Sequence, residues 1–304
     1  MIVKQRIGIG VLVLALVGLV GSAVVAETYV VLSDIPWKPF EMVTDDGEFF
    51  GFDVDLLRAI AITAGFEVEI RNFSFDGIIE AVKTNNGDIG LAGFTIRADR
   101  AESIDFSNAY YLANQAVLTR KDSGLNIVSA MAGLGPNKAI GAQNSSTGLW
   151  WIEDNLQEQF GVEPRGYETY PAAILDLVNR RLDAVIQDGP ASVASIDAYP
   201  DDLTIAGMIH TYEYYGIVVR KGDPDGLLPR INDALVTLGL TLVDVSGGLQ
   251  ELVIEEGSVY ESLTQIYFEP DPVDITAAWI ECKDLILGGD LEGFIDCMKA
   301  ELGL

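Results

Sequence analysis

The segment Asp88–Tyr111 contains residue types that can hold a carboxylate. A short apolar run reaches Gly93 and Thr95, and a polar turn then ends at Arg100. Arginine offers a planar fork of N–H donors, threonine adds a hydroxyl, and glycine lets the backbone approach a ligand closely. The same residues could equally form a strand, a turn and a surface salt bridge, so this segment alone leaves both interpretations open.

Further polar residues follow predicted strands, where parallel strands of an α/β sheet place a ligand site. Ser146 and Thr147 begin a predicted helix, whose N-terminal N–H groups suit a carboxylate. Capping of that helix would, however, be reason enough for both residues. Asp188 ends another strand and could hold an ammonium group, or could simply form a turn before Gly-Pro. Together with Arg100, this set could hold both ends of an amino acid zwitterion.

Neither a covalent catalytic centre nor a cofactor site is indicated by the sequence. His210 is the only histidine of the chain, and no recognisable nucleophile motif accompanies it, so we expect a structural role for it. The sequence contains no phosphate-binding loop, no dinucleotide fingerprint and no metal-ligand spacing. We therefore expect no cofactor, no metal and no catalytic residue.

The first 26 residues have the pattern of a targeting segment. Lys4 and Arg6 form a basic start, an apolar run extends from Ile7 to Val25, and small residues precede a cleavage site after Ala26. The apolar run is also long enough to cross a bilayer as an uncleaved anchor. The small residues and the polar continuation favour cleavage, and we expect a periplasmic or secreted protein.

The mature chain is strongly acidic. The full sequence has 19 basic and 46 acidic residues, and removal of Lys4 and Arg6 with the leader leaves 17 basic residues and a net charge of −29. Such a surface repels nucleic acid and anionic membranes, so we expect neither as a partner, and we expect a monomer. A saline habitat could also account for the charge.

Alternating strands and helices in the first half predict α/β units with a largely parallel sheet. The predicted strands are Thr28–Ser33, Val68–Arg71 and a run from Ile89 towards Gly93. The predicted helices are Asp53–Ala64 and Ile78–Lys83, with a hairpin turn at Asp45-Asp46-Gly47.

A similar pattern returns after residue 120, which predicts a second α/β lobe. Its predicted strands are Ala139–Ala142, Tyr167–Tyr170 and Ala184–Gln187, with helices from Asn144 to about Gln159 and at Ala172–Asn179. Gly216–Arg220 is one more predicted strand. The remainder, Leu227–Leu304, is predicted to be mostly helical and to end in helices Ile275–Leu287 and Leu291–Leu302.

Cys282 and Cys297 are the only cysteines, and both lie near the C-terminus. They show no CxxC spacing and no accompanying histidines, so a zinc site is not expected. In an exported protein we expect a disulfide between them, although two buried free thiols would also fit the sequence.

Several motifs in one order resemble those of a known family. They are IPWKPFE, GEFFGFDVDLLRAI, FSFDGIIEAVKTNNGDIGLAGFTIRADR, IDFSNAYY, IGAQNSSTG and RRLDAVIQD. Over about residues 28–268 the chain resembles the family 3 extracellular solute-binding proteins, the polar amino-acid-binding proteins of bacterial ABC importers with the type II periplasmic fold. The resemblance implies capture of a free L-amino acid, polar or basic, and its delivery to a membrane ABC permease.

The resemblance also implies how the matching positions would hold the main-chain groups of the ligand. Arg100 would bind the α-carboxylate, helped by Thr95 and by the backbone at Ser146–Thr147. Asp188 and the carbonyl of Gly93 would hold the α-ammonium group.

Four further positions would contact the ligand side chain. Trp37 and Phe75 would enclose it between aromatic rings, although both could equally be core residues. Asp34 and Gln143 fall where family members read the side chain. Aspartate at that position suits a basic ligand, but it also occurs in members that bind neutral ones.

The implied architecture has two α/β lobes joined by a two-strand hinge, followed by a C-terminal helical extension. Lobe 1 would comprise residues 27–115 and 216–268, lobe 2 residues 116–215, and the extension residues 269–304. Two crossing strands, near Tyr110–Leu118 and Tyr212–Val219, would form the hinge.

The sequence departs from the family pattern at three places. Ser145-Ser146-Thr147 stands where Gly-Thr-Thr or Gly-Thr-Gly is usual, and Ala92 stands where serine is common. The cysteine-containing extension has no counterpart in the common core of the family. Two alternative functions on the same fold stay open, namely a cyclohexadienyl dehydratase-like enzyme and a ligand carrier for a sensor or chemoreceptor.

Overall fold

The computed structural model describes residues 26–125, 136, 138–245, 249–268 and 275–304. The predicted targeting segment, apart from Ala26, lies outside these residues. Among the helices that the structure describes, none combines the length and apolar character needed to cross a membrane.

The described strands and helices follow one another in α/β order. The strands are β1 Thr28–Ser33, β2 Met42–Val43, β3 Phe49–Phe50, β4 Glu67–Asn72, β5 Ile89–Gly90, β6 Ile104–Phe106, β7 Tyr111–Arg120, β8 Ala139–Gln143, β9 Glu163–Tyr167, β10 Ala184–Asp188, β11 Leu203–Tyr215, β12 Val218–Arg220, β13 Leu240–Val245 and β14 Leu249–Ile254. The α-helices are α1 Phe52–Ala64, α2 Phe75–Lys83, α3 Ala98–Ala101, α4 Thr147–Ile152, α5 Glu158–Phe160, α6 Tyr170–Val178, α7 Gly189–Ala198, α8 Leu227–Thr237, α9 Val259–Phe268, α10 Ile275–Leu287 and α11 Leu291–Leu302.

The first sheet has five strands in the order β4-β1-β5-β12-β6. Strand β1 pairs in parallel with both β4 and β5, whereas β12 is antiparallel to β5 and β6. Because β12 comes more than 100 residues after β6, this sheet is built from two separate segments of the chain.

The second sheet has the order β11-β7-β10-β8-β9. Strands β8, β9 and β10 are parallel, and β7 is antiparallel to its neighbours β10 and β11. The end of the β7–β11 pair that contains Tyr214 lies next to the first sheet. There the Ile96 N–H donates to the Tyr214 carbonyl at 2.7 Å. These two long strands therefore connect the two sheets, in agreement with the predicted crossing strands.

Helix α1 illustrates how the sequence pattern determines local structure. The predicted apolar face is buried, and Gly65 ends the helix in a left-handed conformation with φ of +73°. The same helix also buries Asp53 and Asp55 completely, which its apolar periodicity did not predict.

One sequence-based assignment is wrong and one is incomplete. The strand predicted at Tyr167–Tyr170 instead ends at Tyr167, because Thr169 caps helix α6 by accepting from the Ala172 N–H, and Pro171 occupies the first turn. The segment after Leu227, predicted as mostly helical, also contains the antiparallel hairpin of β13 and β14. Alternating apolar residues in β13 are consistent with a strand.

The C-terminal extension packs on the first lobe. Helices α10 and α11 have the predicted bounds, and Cys282 and Cys297 form the expected disulfide. Trp279 is fully buried with its ring 4.9 Å from that of Phe50, and its Nε1 donates to Asp55 Oδ2 at 3.0 Å. The extension thus satisfies an acid of α1 in addition to covering apolar surface.

Replacing both cysteines with alanine should lower the free energy of unfolding by about 3 kcal/mol, because a crosslink over a loop of this length removes that much entropy from the unfolded chain. Urea unfolding followed by circular dichroism measures the change. Reduced wild-type protein, which keeps both side chains, is the matched control and should lose a similar amount. An unchanged midpoint in both samples would contradict the prediction.

Candidate functional site

A cavity between the two sheets brings the predicted ligand-binding residues together. Residues from both sheets line it: Asp34, Trp37, Phe75, Ala92, Gly93, Thr95, Arg100, Gln143, Ser146, Thr147, Tyr170 and Asp188. All of the predicted ligand-binding positions are in this set, and their binding roles remain predictions. Within the described ranges, no group of three or more potential metal ligands occurs.

Arg100 is a buried cation whose partners are backbone carbonyls. Its Nη1 donates to the Thr95 carbonyl at 3.1 Å, and its Nη2 donates to the Ser145 carbonyl at 2.9 Å. The guanidinium also lies over the rings of Phe75 and Trp150, at 5.7 and 5.2 Å from their centroids. Burial lowers the pKa of Arg100 to about 10, so it stays charged at neutral pH. Among the described residues no carboxylate forms an ion pair with it, so its remaining N–H donors can take an external anion.

The turn before α4 contains Ser145, whose carbonyl accepts from this guanidinium. Ser146 caps the helix, since its Oγ accepts from the Leu149 N–H at 3.1 Å and also donates to the Gln143 carbonyl at 2.8 Å. The capping interpretation of the Ser146 side chain is therefore correct. The backbone N–H of Thr147, in the first turn, has no acceptor within the helix and remains suited to an anion.

Asp188 ends strand β10 with its side chain directed into the cavity region. It does not cap α7 through its side chain. Instead Oδ1 accepts from Gln115 Nε2 at 3.0 Å and from the Tyr215 hydroxyl at 2.6 Å. Burial, and secondarily the charge of Glu213, raise the pKa of Asp188 to about 7. A cation placed beside Asp188 would lower this pKa and ionise the carboxyl.

Gly93 has a conformation and surroundings that require glycine. Its φ is +54°, and a Cβ at this position would lie 2.6 Å from Trp37 Cζ3 and 3.1 Å from Tyr215 Cε2. Its N–H donates to Asp53 Oδ2 at 3.1 Å. A hydrogen bond to a buried acid thus fixes the backbone of Gly93. The absence of a side chain leaves room at the cavity wall.

Asp34 and Gln143 connect the two sides of the cavity. Gln143 Nε2 donates to Asp34 Oδ2 at 2.6 Å and to the Glu168 carbonyl at 2.9 Å. Burial raises the pKa of Asp34 to about 6, against the lowering effect of the Gln143 hydrogen bond. Asp34 is therefore a second acid whose ionisation a nearby cation would favour.

The aromatic residues both line the cavity and pack with core rings. Trp37 stacks between Phe40, at 4.8 Å between ring centroids, and Tyr170, at 6.2 Å. Phe75 stacks on Phe94 at 4.8 Å. Trp37 and Phe75 thus line the cavity and pack with core rings, and their contact with a ligand side chain stays a prediction.

Four residues near the cavity were missed by the sequence analysis: Gln115, Tyr170, Glu213 and Tyr215. Three of them lie on the crossing strands, where the sequence pattern indicates a strand but not the direction of each side chain. A glutamate between aromatic residues in the run TYEYYG is the signal that could have marked Glu213. His210, by contrast, is exposed outside the cavity, with its ring 6.0 Å from that of Tyr212.

Comparison with known proteins gives consistent results along most of the chain. Residues 29–240 match the profile described as bacterial extracellular solute-binding proteins, family 3. A probable histidine-binding protein of Neisseria gonorrhoeae is 32% identical over 213 residues, which cover 69% of this chain and 77% of that protein.

Solved structures show the same fold. An ancestral arginine-binding protein bound to arginine is 30% identical, with a TM-score of 0.67 over 79% of this chain and 98% of that one. An ancestral amino acid-binding protein, described as a precursor of cyclohexadienyl dehydratase, is 29% identical, with a TM-score of 0.66 over 79% of this chain and 95% of that one. The type II periplasmic fold expected from the sequence motifs is confirmed.

Replacing Asp188 with asparagine should reduce the dependence of stability on pH. The pKa of Asp188 rises from 3.8 to about 7 on folding, so the folded protein binds more protons between these values and loses stability as the pH increases through them. Urea unfolding at several pH values should therefore show that the free energy of unfolding falls less between pH 4 and pH 7 in D188N than in the wild type.

The exposed Asp201, which is not among the residues that line the cavity, provides the matched control D201N. We expect the pH dependence of D201N to follow the wild type. An identical pH dependence of D188N and the wild type would contradict the assignment of Asp188 as a buried acid with a raised pKa.

Proposed function

Because this chain belongs to the family 3 bacterial extracellular solute-binding proteins, we propose that it captures a free amino acid between two lobes and delivers it to the permease of an ABC importer. The family consists of extracellular proteins, and we propose export through residues 1–26, followed by removal of that segment. The protein would act as a monomeric binding protein that needs no cofactor.

The observation that carries this proposal is the buried Arg100 opposite the buried acid Asp188. Isolated buried charges are unfavourable unless they are paired. An amino acid zwitterion would pair both, with its carboxylate on Arg100 and the N–H of Thr147, and its ammonium group on Asp188 and the Gly93 carbonyl. Each such charge-assisted hydrogen bond contributes about 1.5–3 kcal/mol.

The charges of the cavity favour a basic side chain on the ligand. Among the described residues that line it, Arg100 is the only basic one, whereas Asp34 and Asp188 are acidic. A zwitterion adds no net charge to this set, but a cationic side chain would neutralise Asp34. The rings of Trp37 and Phe75 would add a cation–π attraction of about 0.5–2 kcal/mol. The names of the histidine- and arginine-binding relatives agree with this preference.

Closure would bring lobe 1, residues 27–115 and 216–268, against lobe 2, residues 116–215. The hydrogen bonds from Gln143 to Asp34 and from Arg100 to the Ser145 carbonyl join the two proposed lobes. A ligand that contacts both lobes would shift the population towards the closed form by as much as its affinity for that form exceeds its affinity for the open form. The extension, residues 269–304, would stabilise lobe 1 by packing on a surface of this lobe outside the cavity.

We propose binding without catalysis. The matched relatives are binding proteins by name, and the precursor of a dehydratase among the structural neighbours is itself described as amino acid-binding. Arg100 and Asp188 would hold the zwitterion and Asp34 a basic side chain, so a catalytic acid or base is not needed to explain these three groups.

Replacing Arg100 with alanine should abolish amino acid binding, because the ligand carboxylate would enter the cavity without a cationic partner. Calorimetric titration measures the affinity, and circular dichroism checks that the fold is retained. Arg71, which forms an exposed ion pair with Glu69, gives the matched control R71A with wild-type affinity. Unchanged affinity in R100A would remove the basis of the proposed site.

A thermal-shift screen of the twenty amino acids should give the largest increases in melting temperature with arginine, lysine or histidine. The physical reason is the acidic surplus at Asp34 and Asp188. Replacing Asp34 with asparagine should reduce the advantage of the basic ligands over glutamine. Shifts with glutamine or glutamate, but none with a basic amino acid, would show that the cationic preference is wrong.

A further inference from the structure

Glu213 is a buried acid that lies behind the cavity and is not used by the proposed ligand contacts. It is 7% exposed. Its Oε2 accepts from the hydroxyls of Thr95, at 2.8 Å, and Thr147, at 2.5 Å, and its Oε1 accepts from Gln115 Nε2 at 3.1 Å. Three different segments of the chain thus donate to one carboxylate.

The donors belong to opposite sides of the cavity. Thr95 follows β5 in the first sheet, Thr147 begins α4 above the second sheet, and Gln115 lies on the crossing strand β7. A threonine hydroxyl has a single hydrogen. When both hydroxyls donate to Glu213, neither can donate to a ligand carboxylate, which is left to Arg100 and backbone N–H groups.

A β-bulge directs Glu213 inward. The pairing of β11 with β7 shifts register between Ile209 and Glu213, and Tyr212 in this interval has a φ of +52°. The Tyr212 N–H donates to the Asn114 side chain at 3.1 Å, which holds the irregular backbone. β-Bulges commonly change the direction of a side chain in this way.

We propose that Glu213 is a closure latch, a positioning residue that holds the two lobes together through the Thr95 and Thr147 hydroxyls. The inference deepens the proposed function, because closure over an amino acid is the step that the latch would favour. Separation of the lobes moves Thr95 away from Thr147, so opening must break at least one of the two hydrogen bonds to Oε2. A buried carboxylate that loses a donor without gaining water is destabilised, which disfavours partial opening.

The charge of Glu213 adds to this effect. It lies close enough to Arg100 and Asp188 to influence the ionisation of both, attracting the guanidinium and repelling the carboxylate. The Gln115 amide donates to Asp188 and to Glu213 at once, so it separates the two acids and stabilises both as acceptors. The latch is therefore connected to the part of the cavity where an ammonium group would bind.

The first test measures compactness and needs no ligand. Small-angle scattering of the wild type and E213A, without added amino acid, should give a larger radius of gyration for E213A. E213Q keeps the side-chain shape and one acceptor oxygen, so its radius of gyration should lie between those of the wild type and E213A. This variant also distinguishes loss of the latch from a folding defect in E213A. The exposed Glu153 gives the charge-matched control E153Q, with the wild-type value. Equal radii for all four proteins would overturn the proposal.

The second test measures affinity for L-arginine by calorimetry. E213A should bind about tenfold more weakly than the wild type, because the latch no longer offsets the free energy of closure. T147V should also weaken binding, but adding it to E213A should have no further effect, since both changes remove the same hydrogen bond. Affinity of E213A equal to or tighter than that of the wild type, or full additivity in the double variant, would overturn the latch.

The two tests separate the latch from the proposed function. If the wild type bound none of the twenty amino acids, the proposed function would fail, while the scattering comparison would still decide on the latch. If the wild type bound L-arginine and E213A behaved like E153Q in both tests, only the latch would fail.

Discussion

The need to satisfy buried charge is the constraint on which the rest of this structure depends. Arg100 is surrounded by carbonyl groups and aromatic rings, so its position is stable only where backbone and ring dipoles replace water. The short helix that carries it, the left-handed backbone at Gly93 and the turn at Ser145 all serve to bring these groups within reach. These elements meet around a cation, and the N–H groups of Arg100 beyond those that donate to Thr95 and Ser145 have no carboxylate partner among the described residues.

The same constraint operates on the acids of the first lobe. Asp53 accepts from the Tyr110 hydroxyl at 2.6 Å and from the Gly93 N–H, which links the core to the cavity wall. Burial, followed by the charge of the neighbouring Asp53, raises the pKa of Glu41 well above its usual range. Support for the cavity therefore passes through hydrogen bonds between buried polar groups as well as through apolar packing.

Much of this arrangement could be predicted from the sequence, because hydrophobic periodicity and capping residues are local signals. The bounds of α10 and α11 and the cap at Gly65 are of this kind. The residues that follow parallel strands could be assigned to one site because strand ends converge. Local signals do not predict the direction of a side chain next to a bulge. For that reason Glu213 was not identified from the sequence as a residue near the cavity. Two of the partners of Asp55, Tyr267 and Trp279, were missed because they are 212 and 224 residues away along the chain.

The contact of Trp279 with Asp55 has a consequence for the order in which the molecule forms. Helix α1 precedes α9 and α10 in the chain, yet two donors to its buried Asp55, Tyr267 and Trp279, come from those later helices. Arg58 donates to Asp55 from α1 itself. The first lobe also receives β12 from the later part of the chain. The amino-terminal half of this lobe therefore reaches its final packing only after α9, α10 and β12 have been synthesised. The second lobe, whose sheet is formed by one continuous segment, can fold before it.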